Sequence, residues 1–209
     1  MTYPSPKPDW VALAGILICI VLHIILDADK PCLPFVVSAC LGWTVYIALR
    51  VWQDRHVLAE WGFRTDNLLA AAKPSLVLLA ATVVGLAALG AYRGTLRFPP
   101  HLAFLLLLYP LWGVIQQFLA LGIVVANLER LLSLHDRKRL IALVTATIFA
   151  LVHLNDWRVA TATFWLELAF VALYFRERNV LPLAVAHGWL GTLFYLWVLD
   201  VDLWMQTFG

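Results

Sequence analysis

Between Trp10 and Leu199 the sequence is a succession of long apolar runs, and its charged residues collect in the short stretches that separate them. About 20 apolar residues in helical form match the ~30 Å hydrocarbon core of a bilayer. Helices are the only open-ended structure that satisfies its own backbone N–H and C=O groups there. Seven runs meet that requirement: Trp10 to Leu26, Pro34 to Trp52, Pro74 to Ala91, His101 to about Leu132, Leu140 to His153, Val159 to Phe175 and Val180 to Leu199. The fourth is too long for one crossing at ~1.5 Å per residue, so tilt, a kink near Pro110 or extension beyond the bilayer has to absorb the excess. The expected fold is an all-α polytopic membrane protein, a bundle of about seven transmembrane helices forming one integral membrane domain over residues 1–209.

The stretches between the runs fit this scheme. DADKPC, with Pro31 and Pro34 as stops, is a short turn that makes the first two spans a hairpin. Gln53 to Lys73 mixes Asp54, Arg55, Glu60, Arg64, Asp66 and Lys73 with Trp61, Phe63 and Leu68, as an interfacial amphipathic segment does. Insertion of that segment near Trp61 would add an eighth crossing. Gly85 and Gly90 allow close helix approach in the third span, and Pro182 stands near the start of the seventh, where a missing N–H is harmless.

Hydrophobic residues make up 63% of the 209 and charged residues 13%, about half the usual charged share, which excludes a soluble globular domain. The net charge of +2 is dispersed among the loops, so no nucleic-acid partner is expected. Cys19, Cys32 and Cys40 are odd in number, lack CxxC spacing and read as small packing residues. MTYPSPKPDW lacks a basic n-region, so the first run is expected to remain as a helix. Alternate loops then hold eleven Lys and Arg on one face against four on the other (Lys30, Arg93, Arg97 and Arg158). That imbalance predicts a cytoplasmic N-terminus and an outside C-terminus, most simply in the cell (inner) membrane.

Five of the polar side chains that interrupt the apolar runs stand out. Gln116 and Gln117 lie mid-run in YPLWGVIQQFLALG, His153 ends TATIFALVH, Glu167 lies in TFWLELAFVALYF and His187 in PLAVAHGWLG. In hydrocarbon an unpaired amide or imidazole costs roughly 2–7 kcal/mol, so such groups must meet one another, shielded water or a substrate. Each also has a structural reading: interhelical hydrogen bonding for the glutamines, an interfacial helix end for His153, a carbonyl-bonded core imidazole for His187 and a neutral hydrogen-bonded acid for Glu167. Adjacent helical positions point ~100° apart, so only one of Gln116 and Gln117 is expected to face a given cavity squarely.

Taken together, QQFLAL at 116–121, FALVH at 149–153 and HGWLG at 187–191 resemble the three motifs EExxxR, FxxxH and HxxxN of the CPBP (Abi) family of intramembrane peptidases, which includes the type II CAAX prenyl endopeptidases. The run TFWLELAFVALYFRERNVLPLAVAH, with Arg176, Asn179 and Pro182, also looks like the family's approach to its third motif. The resemblance covers roughly Leu102 to Leu199; it implies a CPBP-like core over 101–199 and leaves 1–100 as variable N-terminal spans plus the interfacial segment. Gln116 and Gln117 stand where the family has two glutamates, Leu121 where it has arginine and Gly191 where it has asparagine, while both histidines are retained.

The resemblance implies an intramembrane endopeptidase acting on a membrane-anchored or C-terminally tagged protein or peptide. In that scheme His153 is the candidate base, His187 the oxyanion stabiliser, Gln116 or Gln117 positions water or carbonyl, and Glu167 orients an imidazole. The alternative is a catalytically inactive homologue acting as a binding or immunity protein, because a glutamine cannot take up the proton that the family's glutamate accepts. No cofactor is expected. A zinc ion held by His153, His187 and Glu167 ranks below the metal-free scheme, since no HExxH-type spacing supports it. A small-molecule transporter would call for paired broken helices or an inverted repeat, and the sequence has neither.

Overall fold

The computed structural model describes residues 7–26, 33–132 and 137–208, and among these every regular element is helical. The chain runs α1 (Trp10–Leu26), α2 (Leu33–Gln53), α3 (Val57–Glu60), α4 (Leu68–Arg93) and α5 (Leu102–Gln117). A π-helical stretch (Phe118–Val125) then leads without a break into α6 (Ala126–Leu132), followed by α7 (Lys138–Leu151), α8 (Trp157–Glu177) and α9 (Leu181–Leu193). A second π-helical stretch (Phe194–Val198) and α10 (Leu203–Phe208) close the chain. Every one of the seven apolar runs is therefore helical, as a polytopic membrane protein requires. Among the described residues four helices are long and apolar enough to cross a membrane, Leu68–Arg93, Leu102–Leu132, Trp157–Glu177 and Leu181–Val198, with Trp10–Ile25 a shorter apolar one.

Two boundaries differ from expectation, while the long fourth run continues from Leu102 to Leu132 as expected. The α4 helix starts at Leu68, ahead of Pro74, so the interfacial segment is shorter than Gln53 to Lys73; the Ala71 N–H already bonds the Asn67 carbonyl at 3.0 Å, and Pro74 removes one backbone donor without stopping the helix. Pro110 lies inside α5, and the long fourth run changes its winding at Phe118 instead of ending there. The fifth span closes at Leu151 rather than His153, because the His153 N–H bonds Ala150 O at 2.9 Å and tightens the last turn. Its 14 residues reach only about 21 Å.

The described chain forms two compact units, Met1–Phe63 with Leu119–Arg176 and Arg64–Phe118 with Glu177–Gly209. In the first, Asp9 caps α1: its Oδ1 accepts the Ala12 N–H at 3.1 Å and its Oδ2 accepts the Tyr46 hydroxyl at 2.8 Å. The Asp9 N–H donates to Asn127 Oδ1 at 2.5 Å, and the Asn127 amide donates to Ile123 O at 2.9 Å, so a side chain just past the widened turns anchors the start of the first helix. Cys19 and Cys40 are free and half-buried, in keeping with a packing role; Cys32 and the DADKPC turn lie outside the described residues.

In the second unit α9 packs against both α4 and α5, and Leu102, Leu193, Leu196 and Trp197 form the core at one end. There the turn after α4 is bound to the chain after α9: Trp197 Nε1–H donates to Arg97 O at 2.8 Å, Thr95 donates to Trp197 O, Arg97 pairs with Asp200, and His101 meets Asp202 at 2.9 Å. Burial alone would raise the Asp202 carboxyl, but the His101 contact and the N–H groups of Met205 and Trp204 outweigh it and hold the group below its ordinary value. At the other end Asn179 Nδ2–H donates to Arg64 O at 2.7 Å and to Asn67 Oδ1 at 2.8 Å, while its own Oδ1 accepts the Leu181 N–H at 3.0 Å and starts α9. Gly90 packs 3.1 Å from Trp197 Cβ, measured from where its own Cβ would stand, whereas Gly85 faces open space and makes no close approach.

Candidate functional site

The two helices that carry the glutamines and the third-motif histidine are brought together by absent side chains. A Cβ on Gly113 of α5 would fall on the Ala184 carbonyl oxygen of α9 and stand 3.1 Å from the Gly188 nitrogen. A Cβ on Gly188 would stand 2.7 Å from the Pro110 backbone. Backbone meets backbone here, as at small-residue interfaces in membranes, where dispersion contacts and hydrogen bonds replace the missing hydrophobic drive. Trp189 secures the same interface by donating its indole N–H to Leu106 O at 2.7 Å. Composition and periodicity do not single out Gly113, Gly188 or Trp189; the signal for them in the sequence is the small-x-x-x-small pair Ala184 and Gly188 beside His187.

That approach places Gln116, Gln117 and His187 in one hydrogen-bonded group. His187 Nε2 lies 2.9 Å from Gln116 Oε1, and His187 Nδ1 lies 3.4 Å from the Gln117 amide nitrogen. Both glutamines therefore reach the imidazole, one at each ring nitrogen, where only one of the pair was expected to face the site. The ~100° between adjacent positions is spanned because glutamine side chains are long and the two nitrogens lie on different edges of one ring. Gln117 and His187 are buried and Gln116 half-buried. Gly191, one turn beyond His187, has open space where its Cβ would be.

His153 and Glu167 belong to the other unit. His153 is half-buried in the turn after α7, its ring packed on Phe149 at 5.1 Å between centroids. Its Nδ1–H donates to Phe149 O at 2.8 Å; a carbonyl can only accept, so Nε2 is left as the lone-pair nitrogen. The neighbouring turn is pinned by His23, whose Nε2–H donates to Val152 O at 3.0 Å. Glu167 is fully buried on α8, on the same face as Phe170, Val171 and Tyr174. Leu121, at the position of the family's arginine, is fully buried as well.

The second-motif histidine thus sits in the turn that closes α7 and the third-motif histidine within α9, with opposite ring nitrogens donating, a pattern of motifs that can be compared with known families. Residues 97–193 match the family model for type II CAAX prenyl endopeptidase Rce1-like proteins. Over that stretch the chain is similar to Rce1-like proteins. The Rce1-like segment contains all five polar residues, Gln116, Gln117, His153, Glu167 and His187, and agrees with the CPBP resemblance drawn from Leu102 to Leu199. No curated protein and no solved structure matches the chain. Among the described residues no group of three or more His, Cys, Asp and Glu side chains could hold a metal ion.

Proposed function

We propose that this protein is an intramembrane endopeptidase of the CAAX type that cuts a membrane-anchored or lipid-modified protein near its C-terminus, or a peptide held in the same way. The observation that carries the reading is the Gln116–Gln117–His187 group, held by a glycine-mediated helix contact inside the Rce1-like segment. Peptide hydrolysis needs a base, a donor for the developing oxyanion and an enclosed water. On this reading His153, with Nε2 able to accept, is the base, His187 donates to the oxyanion, Gln116 positions carbonyl or water, and Glu167 orients an imidazole. The partners are the substrate and the bilayer.

One observation favours a second reading, a non-catalytic homologue that binds or protects the same kind of partner. Every proton demand between His187 and the two glutamines is met by a neutral set, and an amide at 116 has no basic lone pair to take a proton from water. Cells carrying a tagged membrane-anchored substrate with wild type, His153→Ala or His187→Ala separate the two. The peptidase reading expects a cleaved product with wild type and a loss of about 10²-fold or more with His153→Ala at equal protein level. Phenotypic protection by wild type with no cleaved product sinks it.

A further inference from the structure

A histidine ring has three states within reach of ordinary pH: neutral with the proton on Nε2, neutral with it on Nδ1, and doubly protonated. The buried contacts of His187 discriminate among them. Gln116 Oε1, 2.9 Å from Nε2, can only accept, so Nε2 must carry a proton. The Gln117 amide nitrogen, 3.4 Å from Nδ1, can only donate, so Nδ1 must offer a lone pair. A proton on Nδ1 would set N–H against N–H between two buried side chains, Gln117 and His187. Only the neutral Nε2–H ring satisfies both neighbours.

We propose that Gln117 is a positioning residue whose amide N–H keeps Nδ1 of His187 unprotonated, so that the ring stays neutral and directs its one proton from Nε2 toward Gln116. On the peptidase reading above, a substrate carbonyl has to share or take over the Nε2 proton that Gln116 accepts, so His187 acts there as a donor and not as the base. Gln117 acts through the imidazole and touches no substrate. The arrangement also explains why an amide suits this position in hydrocarbon. A carboxylate at 117 would present an acceptor to Nδ1, draw a proton there and create a buried ion pair with its desolvation cost; the amide fills the same volume with no charge.

Because glutamine and glutamate are isosteric, Gln117→Glu reverses the polarity of this contact with little change of shape. The full chain, labelled with ¹⁵N at its six histidines and held in detergent micelles, reports the proton on each ring nitrogen through its ¹⁵N shift and one-bond N–H coupling, with His187→Asn assigning the signals. Wild type at pH 7 is expected to show His187 with Nε2 protonated and Nδ1 bare, and Gln117→Glu to show Nδ1 protonated. A wild-type ring carrying a proton on Nδ1 overturns the proposal, whether or not the variant folds. So does Gln117→Glu with Nδ1 still bare in a folded protein. Cleavage is a separate readout: a bare Nδ1 in a wild type that yields no product removes the peptidase reading and leaves the role of Gln117 standing.

Discussion

At the scale of single residues the unusual feature is an amide, Gln116, where the family motif has a glutamate. Restoring a carboxylate there keeps the hydrogen-bond polarity toward His187, since a carboxylate oxygen at position 116 would still accept from Nε2–H, 2.9 Å away in the glutamine form. The bond would become charge-assisted, which offsets part of the cost of a half-buried carboxylate. Gln116→Glu is therefore expected to retain or raise cleavage of a membrane-anchored reporter, with a ceiling near the 10²–10⁴-fold that a positioned base contributes. Cleavage falling below wild type with the variant still folded would mean that residue 116 does not hold the place of the family's glutamate in the reaction. The residues of this group were legible in the sequence because polar side chains in apolar runs stand out against their surroundings. Their mutual geometry was not: a rule about helix rotation fixes where Cβ vectors point, and the reach of two long amides toward one ring escaped it.

At the scale of helices the decisive contact is α5 against α9, and it depends on two glycines. Alanine at Gly113 or Gly188 forces backbone away from backbone, so each is expected to destabilise by about 1–3 kcal/mol, as overpacking does, and to loosen the bonds between His187 and the glutamines. Gly191→Ala is the matched control on the same helix. Its Cβ enters open space, and removing a helical glycine is expected to stabilise by about 0.5–1 kcal/mol. Unfolding in mixed micelles against rising denaturing detergent measures all three; equal effects at 113, 188 and 191 would mean that the close approach does not hold the helices together. The sequence pointed instead to Gly85 and Gly90, of which only Gly90 meets a neighbour. Soluble helices reveal their buried face by amphipathic contrast. Where the outer face meets lipid, both faces are apolar and a glycine carries no sign of which way it points. The widening of the helix at Phe118–Val125 and Phe194–Val198 was equally invisible, since nothing in FLALGIVV or FYLWV distinguishes a wide turn from an ordinary one.

At the scale of the molecule the question is which loops share a face of the membrane. Within the second unit the hydrogen bonds answer in pairs: the turn at Arg64–Asn67 is joined to Asn179, and the turn holding Arg97 and His101 is joined to Trp197, Asp200 and Asp202. The Lys and Arg distribution assigns the same partners to the same faces, with Arg64 and Arg178 on the basic side and Arg93 and Arg97 on the other together with the C-terminus. Two independent arguments, one from charge and one from bonding, thus agree on the parity of the spans α4, α5 and α9. They lead to a labelling experiment in which Cys19, Cys32 and Cys40 are first replaced and single cysteines are then placed at the exposed positions Thr65, Arg93 and Met205. Arg93→Cys and Met205→Cys are expected to react with an impermeant maleimide in intact cells, and Thr65→Cys only after permeabilisation. The inverse pattern would keep the pairing and reverse the orientation, overturning the use of loop charge in this chain. Reaction of Arg93→Cys and Met205→Cys from different faces would be more damaging, because the bonds from Arg97 to Asp200 and from His101 to Asp202 require those two ends to lie together.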